Sequence, residues 1–154
     1  MPLMSRTKLT RTLLCALAMA CGSFPALAAL GGDVTTVESD RASLKGALRM
    51  RTAASYTIHE IQLTGLVVRE FVAPSGKVFG ITWQGSGIPD LQQMLGSYYG
   101  EFAQAASLVH NDHHHLNVQT PQVVVQSRGH TREYTGRAWA PALLPQNFSL
   151  SDLN

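Results

Sequence analysis

The chain has 154 residues, of which 45% are hydrophobic and 14% charged, and its formal net charge at pH 7 is +2. This length fits one ordinary domain with a single core. The composition excludes a disulfide-rich scaffold, because the chain holds only two cysteines.

Residues 1–28 have the three parts of a secretory signal: a basic leader, an apolar run and a small-residue cleavage site at Ala26-Leu27-Ala28. We expect the mature protein to begin at Ala29 and to be exported, to the periplasm or out of the cell. The apolar run is shorter than the roughly twenty residues that span a bilayer, and no later segment is longer. We therefore expect no membrane span after signal cleavage.

Cleavage changes the charge and the cysteine content of the chain. Both Cys15 and Cys21 would leave, so the mature protein would use no disulfide or thiolate. Three of the 12 basic residues would also leave, and nine would remain against ten acidic ones. The basic character thus belongs largely to the leader, which argues against nucleic acid or an anionic membrane as partner. Acylation of Cys21 as a lipoprotein is an alternative, although the residues before it lack the usual leucine.

The mature chain, 29–154, is expected to be a single α+β domain. Its N-terminal segment, 29–55, contains a spacing that predicts a short helix over Val37–Met50, with Ser39 or Asp40 as N-cap. Residues 56–84 predict a three-stranded meander.

The meander contains the clearest turn signal in the chain. In Ala73-Pro74-Ser75-Gly76, proline presets the first turn residue and glycine supplies the left-handed position. Alternation in the third strand predicts that Phe79, Ile81 and Trp83 share one face, directed to the core.

An amphipathic helix is predicted over 90–106, with Asp90 as its cap and a stripe of apolar residues that packs on the sheet. Its other face is almost uncharged and includes Gln93, Gly96 and Gly100. Because glycine destabilises a helix by about 1 kcal/mol relative to alanine, a close approach by another backbone would explain these glycines. The three residues are a candidate surface for a protein partner in the cell envelope; the alternative is a plain polar surface.

The histidine-rich stretch 110–115 is the one chemically loaded cluster. Imidazole and carboxylate groups bind zinc, copper or nickel, and a loop would bring ligands together round one ion. The candidate metal ligands are His110, Asp112, His113 and His115. The spacing matches no established motif, and a solvent-exposed polar loop is the default interpretation.

The β pattern returns over 116–140 as a hairpin, with its turn at Ser127-Arg128-Gly129 and a loosely held tail at 141–154. Arginines and aromatic residues alternate in this hairpin, which suggests a site for an anionic or sugar-like ligand. A solvated strand face is the default alternative. The residues concerned are Arg128, Arg132, Arg137, Tyr134 and Trp139.

Local catalytic motifs are absent from the sequence. It contains no nucleophile elbow, phosphate-binding loop, zinc-protease helix or dinucleotide fingerprint. Catalysis would require distant residues such as His59, Glu60 and His130 to converge. We therefore expect no enzyme, no catalytic residue and no cofactor.

Several short segments together carry a resemblance to a known family. They are Ala29-Leu30-Gly31-Gly32, Tyr56-Thr57-Ile58-His59-Glu60, Val68-Arg69-Glu70-Phe71-Val72 with Pro74 and Gly76, Val78-Phe79 to Trp83-Gln84-Gly85, Pro89-Asp90-Leu91 and Gly136-Arg137-Ala138. With them the chain resembles a family of short exported bacterial proteins known only as a domain of unknown function. The resemblance implies export and carries no activity, substrate or site.

The sequence therefore predicts an antiparallel sheet of about five strands with one main helix on one face. The leading functional hypothesis is a non-catalytic binding or accessory protein of the periplasm or cell envelope, which uses the sheet edge or the uncharged helix face. A second hypothesis is a metal-binding protein, or a hydrolase, that uses the histidine loop. A third is a structural envelope protein that acts through self-association; the sequence leaves the oligomeric state open.

Overall fold

The computed structural model of the protein describes residues 29–34, 47–53, 55–109 and 115–153. They form one antiparallel sheet of seven strands, with a helical layer on one face. The strands are β1 (Ala47–Thr52), β2 (Thr57–Leu63), β3 (Leu66–Val72), β4 (Val78–Gly85), β5 (His115–Gln119), β6 (Val124–His130) and β7 (Glu133–Trp139). Their order across the sheet is β1-β2-β3-β4-β7-β6-β5. The antiparallel sheet is confirmed, but the predicted number of about five strands is too low.

The predicted meander is present as β2, β3 and β4. The turn between β3 and β4 is closed by the Gly76 N–H, which donates to the Ala73 carbonyl at 2.9 Å. Gly76 has a φ of 79°, a conformation that other residues adopt only with strain. Pro74 precedes it in the turn, so the local sequence accounts for this hairpin.

The two edge strands, β1 and β5, differ from the sequence prediction. Residues 47–52 form β1 and pair with β2, so the helix predicted over Val37–Met50 is wrong for residues 47–50. Residues 37–46, with both candidate N-caps, lie outside the described residues. Pairing places Leu48 opposite Ile61 and against the core, a tertiary contact that outweighs a weak helix propensity. The other edge strand, β5, overlaps the region 116–140 that was predicted as a hairpin, but it is a third strand that the prediction of a hairpin did not include.

The turn predicted at Ser127-Arg128-Gly129 is also wrong. These residues lie inside β6, and the chain reverses at Arg132, which has a φ of 68°. Gly129 pairs with Tyr134, and a Cβ on Gly129 would stand 2.6 Å from that ring. The glycine leaves room for an aromatic side chain within the sheet and does not mark a turn.

The predicted helix is present but broken. It consists of α1 (Leu91–Leu95), a 3₁₀ turn (Gly96–Tyr98) and α2 (Tyr99–Leu108). The Asp90 carboxylate caps α1 by accepting from the N–H groups of Gln92, at 2.9 Å, and Gln93, at 3.2 Å. The break falls at Gly96, which has a φ of 52°.

The helical layer covers one face of the sheet and forms the larger apolar cluster with it. Leu95 and Phe102 are buried there with the strand residues Ile81 and Trp83. The segment 29–34 joins this layer, since the Leu30 side chain is buried and its N–H donates to the Met94 carbonyl at 2.9 Å. Burial of this apolar surface is the main force that holds the layers together.

A bulge in β4 sends Phe79 to the other face of the sheet. Phe71 pairs with Gly80 and Val72 with Val78, so Phe79 is the extra residue between the two pairs. The predicted shared face is therefore correct for Ile81 and Trp83 but wrong for Phe79, which joins a second apolar cluster.

The second cluster lies under the C-terminal segment, residues 141–153, which the sequence indicated as a loose tail. Leu153 is only 1% exposed, and the Phe148 ring centroid lies 4.7 Å from that of Phe79. The Ala140 N–H donates to the Phe79 carbonyl at 3.0 Å. The segment is held because its apolar side chains cover the apolar end of the face that lacks helices.

Candidate functional site

The sheet face opposite the helices is polar except where the C-terminal segment covers it. Because side chains alternate along a strand, the register defines which residues share this face. They form two rows that run across all seven strands. The inner row, beside the C-terminal segment, is Arg49, Glu60, Arg69, Thr82, Arg137, Gln126 and Asn117. The outer row is Ala47, Gln62, Val67, Gln84, Thr135, Arg128 and His115.

Side chains of both rows on β3 to β7 line a cavity of about 640 Å³, which we call the polar groove. This volume lies within the usual range for small-molecule sites, about 300–1,000 Å³. Leu153 of the C-terminal segment contributes to its lining. The groove therefore lies on the hydrogen-bonded sheet and is bordered on one side by a packed segment.

Arg69 lines the groove and forms an ion pair with Glu60. Its Nε donates to Glu60 Oε2 at 2.9 Å, and the carboxylate is nearly buried. The hydrogen bond from Arg69 lowers the pKa of Glu60 below its ordinary value of 4.5; burial opposes this, and the charge of Arg51 adds to the lowering. Glu60 thus stays ionised at neutral pH and holds the Arg69 guanidinium in place.

Arg137 is fixed by three contacts. Its Nε donates to Gln126 Oε1 at 2.9 Å, and its Nη1 donates to the Leu150 carbonyl of the C-terminal segment at 3.2 Å. Its Cζ lies 5.5 Å from the Trp139 ring centroid, within cation–π range. Gln126 Nε2 in turn donates to Asn117 Oδ1 at 3.3 Å. These bonds orient polar side chains of β5, β6 and β7 before any ligand arrives.

Arg128 differs from the other two arginines of the groove. It is exposed, it lies opposite both Thr135 and His115, and its guanidinium has no hydrogen bond or ion pair with any described residue. All five of its N–H donors are therefore available on the groove side of the described structure.

Thr82 provides the least expected group of the groove. It lies between Arg69 and Arg137 in the inner row, and it is only 4% exposed. Its hydroxyl is buried and has no hydrogen-bond partner among the described residues. A buried polar atom without a partner costs about 1–3 kcal/mol, so such atoms point to a function or to a bound group.

Charge is distributed unevenly over the molecule. Among the described residues, the open sheet face carries five arginines and two glutamates, while the mature chain would hold slightly more acidic than basic residues. The arginines are Arg49, Arg51, Arg69, Arg128 and Arg137, and the glutamates are Glu60 and Glu133. The groove is the positive side of an otherwise acidic domain, and it attracts anions.

The structure brings together only some of the residues that the sequence suggested for an anionic or sugar-like ligand. Arg128 and Arg137 do line one groove, whereas Arg132 lies in the turn outside it. Tyr134 covers Gly129 on the helix side of the sheet, and Trp139 is buried under the C-terminal segment. The arginines and aromatic residues that alternate in the sequence therefore do not form one site, because they lie on different faces or in different parts of the sheet.

Most of the candidate metal ligands lie outside the described residues. His110, Asp112 and His113 lie outside them, and His115 is the exposed first residue of β5, at the groove. Within the described ranges, no group of three or more histidine, cysteine or acidic side chains is placed to hold an ion. The histidine site stays a prediction.

The residues proposed for distant catalysis do not converge. Glu60 faces the groove, His59 pairs with Glu70 on the helix side, and His130 is exposed at the end of β6.

The proposed partner surface on the helix is also dispersed. Gly96 packs inward, since a Cβ there would stand 2.6 Å from the Ala29 Cβ, and Gln93 is half-buried. A close approach thus explains Gly96, but within this chain. Gly100 is exposed, and no described atom lies within 4 Å of the point where its Cβ would stand. Binding of a partner at these residues stays a prediction.

Sequence reasoning missed most of the groove. Gln84, Gln126 and Thr82 are ordinary strand residues, and only the register brings them into line. The signal that was present is the placement of polar side chains at alternate positions, with Gln126 and Arg128 in β6 and Thr135 and Arg137 in β7.

The fold and the groove define a class: an α+β domain whose antiparallel sheet is covered on one face and carries a positive polar groove on the other. The family model described as "Protein of unknown function (DUF2844)" matches residues 26–153, and the chain belongs to this family. This confirms the resemblance found in the sequence. No curated protein and no solved structure matches the chain. Among the described residues, no helix is long and apolar enough to cross a membrane.

Proposed function

We propose that this protein is an exported bacterial binding or accessory protein of the periplasm or cell envelope, and that it binds its ligand without catalysis in the polar groove. The observation that carries the proposal is the pre-oriented row of polar side chains on the hydrogen-bonded sheet, with three arginines directed into one cavity.

Export is supported by the three-part leader and by the packing that follows it. Cleavage after Ala28 would leave Ala29 and Leu30 at the new N-terminus. Leu30 is buried, and its N–H bonds to the Met94 carbonyl, so a chain that begins at Ala29 keeps this contact. Cleavage at the proposed site is therefore compatible with the packing of the described N-terminal segment.

The absence of catalysis is supported by the chemistry of the groove. Most groups of the groove are guanidinium, amide and hydroxyl groups, which bind and orient a ligand but do not transfer protons readily at neutral pH. The groove lining also holds one imidazole, His115, but, among the described residues that line it, no carboxylate that would orient it as a base. The one carboxylate of the inner row, Glu60, is occupied by Arg69. Such a set favours recognition over reaction.

Two measurements in the native host test this proposal. Mass spectrometry of the protein recovered from cell fractions should give an N-terminus at Ala29 in a fraction outside the inner membrane; an intact leader in the cytoplasm would refute export. For binding, a photo-crosslinking residue is placed at Gln84, in the groove, and in a second strain at Gln104, on α2; both positions are exposed. A discrete adduct from Gln84 alone supports the groove, whereas adducts from Gln104 alone, or from neither, contradict it.

A further inference from the structure

We propose that the ligand of the polar groove is a linear acidic oligosaccharide, a chain of sugars that carry carboxylate groups. This inference rests on the proposed function and names the chemical class of its ligand.

The spacing of the arginines favours a ligand with repeated charges. In the inner row Arg49, Arg69 and Arg137 stand on the first, third and fifth strands in the order of the sheet. Neighbouring strands lie about 4.8 Å apart, so these arginines recur every ~10 Å across the sheet. Glu60 stands between the first two and suppresses continuous positive charge. A linear chain lying across the strands meets the guanidinium groups of Arg69 and Arg137 in the groove, and a chain that extends to the sheet edge also meets Arg49.

The neutral groups of the groove favour a sugar backbone. Between the arginines lie side chains that both donate and accept hydrogen bonds, namely Thr82, Gln84, Asn117, Gln126 and Thr135. A simple inorganic anion accepts hydrogen bonds, so it does not pair with the side-chain carbonyl oxygens of glutamine and asparagine. Sugar hydroxyls donate and accept, so they match amides and hydroxyls. The buried Thr82 hydroxyl would gain the partner that it lacks among the described residues.

Stacking ligands fit the groove less well. Single-stranded nucleic acids depend on exposed aromatic rings on which bases stack. The aromatic strand residues of this sheet face, Phe71, Phe79 and Trp139, are buried under the C-terminal segment. The groove therefore recognises charge and hydroxyl groups at its edges, and a carboxylated sugar supplies both.

The test is calorimetric titration of the processed protein, purified from its host, with an oligogalacturonate of about six units, which is long enough to cross the five strands that line the groove. Binding that weakens as salt rises is expected, because exposed charges are screened. Galacturonic acid monomer, a neutral cello-oligosaccharide and inorganic phosphate serve as competitors of simpler chemistry. Equal binding of phosphate or of the neutral sugar would overturn the assignment.

Matched variants locate the binding. Arg128→Gln removes an exposed guanidinium that has no partner among the described residues, and it should weaken oligogalacturonate binding by about tenfold or more, since hydrogen bonds to charged groups are the strong ones. Arg132→Gln removes the same charge four residues away, outside the groove, and should leave affinity unchanged. Equal losses in both variants would indicate unspecific charge attraction and refute the proposal.

Thr82→Val is a second variant, which keeps the shape of the side chain and replaces the hydroxyl by a methyl group. Because that hydroxyl has no described partner, thermal stability should stay equal or rise while affinity falls. Unchanged affinity would exclude Thr82 from the site.

Crosslinking and titration together distinguish a wrong ligand class from a wrong binding surface. If Gln84 gives a crosslinked adduct in the host but oligogalacturonate does not bind, the ligand class is wrong and the groove remains the binding surface. If neither occurs, both proposals fail.

Discussion

Replacing Leu153 by alanine should destabilise the protein strongly, although this residue stands next to the end of the chain. The side chain is 1% exposed, and its Cδ2 lies 2.8 Å from where a Cβ on Gly80 would stand. The substitution removes three carbons at about 0.8 kcal/mol each, or about 2.4 kcal/mol in lost transfer free energy. The remaining cavity raises the cost to about 3 kcal/mol. For a domain of this size the melting temperature should fall by about 10 °C.

The matched control is Leu150→Ala in the same segment. Leu150 is 40% exposed, and its contact with Arg137 uses the backbone carbonyl, which alanine retains. We expect a loss below about 0.5 kcal/mol, as for surface substitutions in general. Thermal and urea unfolding followed by circular dichroism measure both variants. If Leu153→Ala melts with the wild type, or if both variants lose the same stability, the C-terminal segment is not held by the burial of Leu153.

Three further predictions concern other parts of the molecule. Gly136→Ala should lower the free energy of unfolding by about 2 kcal/mol or more, because the new Cβ would overlap the Trp83 ring that covers this glycine. Gly100→Ala meets open space and should stabilise the helix by about 0.5–1 kcal/mol. Chemical denaturation compares the two variants, and a Gly136→Ala protein as stable as the wild type would refute the packing. Glu60→Gln should flatten the loss of stability in acid: the folded pKa lies below 4.5, so the carboxylate stabilises the fold above that pH and loses this effect as pH falls through the lowered pKa. Parallel wild-type and variant pH profiles of the unfolding free energy would contradict this. Elemental analysis of the untagged, processed protein should find no stoichiometric metal; zinc, copper or nickel retained at submicromolar affinity and lost on His113→Ala with His115→Ala would establish the metal site instead.

The sequence predicts the parts of the fold that local chemistry determines. The turn that ends in Gly76 and the cap at Asp90 each depend on a few adjacent residues, and both are present as predicted. The same locality explains the failures. Residues 47–50 have a weak helical pattern, and β1 exists because β2 offers a partner strand. Such pairing is a tertiary effect that adjacent residues do not encode.

Strand faces were harder to predict than strands. One extra residue at Phe79 reverses the alternation of side chains between the two faces of β4, and no residue type in this strand predicts a bulge. The groove depends on the same information, because Arg69, Thr82 and Arg137 are distant in sequence and come together only through the register of β3, β4 and β7. The sequence identified two of the three groove arginines, Arg128 and Arg137, but not the surface that they share.

The central claim is that the open face of the sheet, and not the helix face, binds the ligand. It is tested most directly by recording backbone amide resonances of the ¹⁵N-labelled processed protein while adding the soluble envelope fraction of its host. We predict that the shifted resonances cluster in β4, β6 and β7, at Thr82, Gln126 and Arg137. Shifts confined to α2 around Gly100, or no shifts at all, would contradict the account.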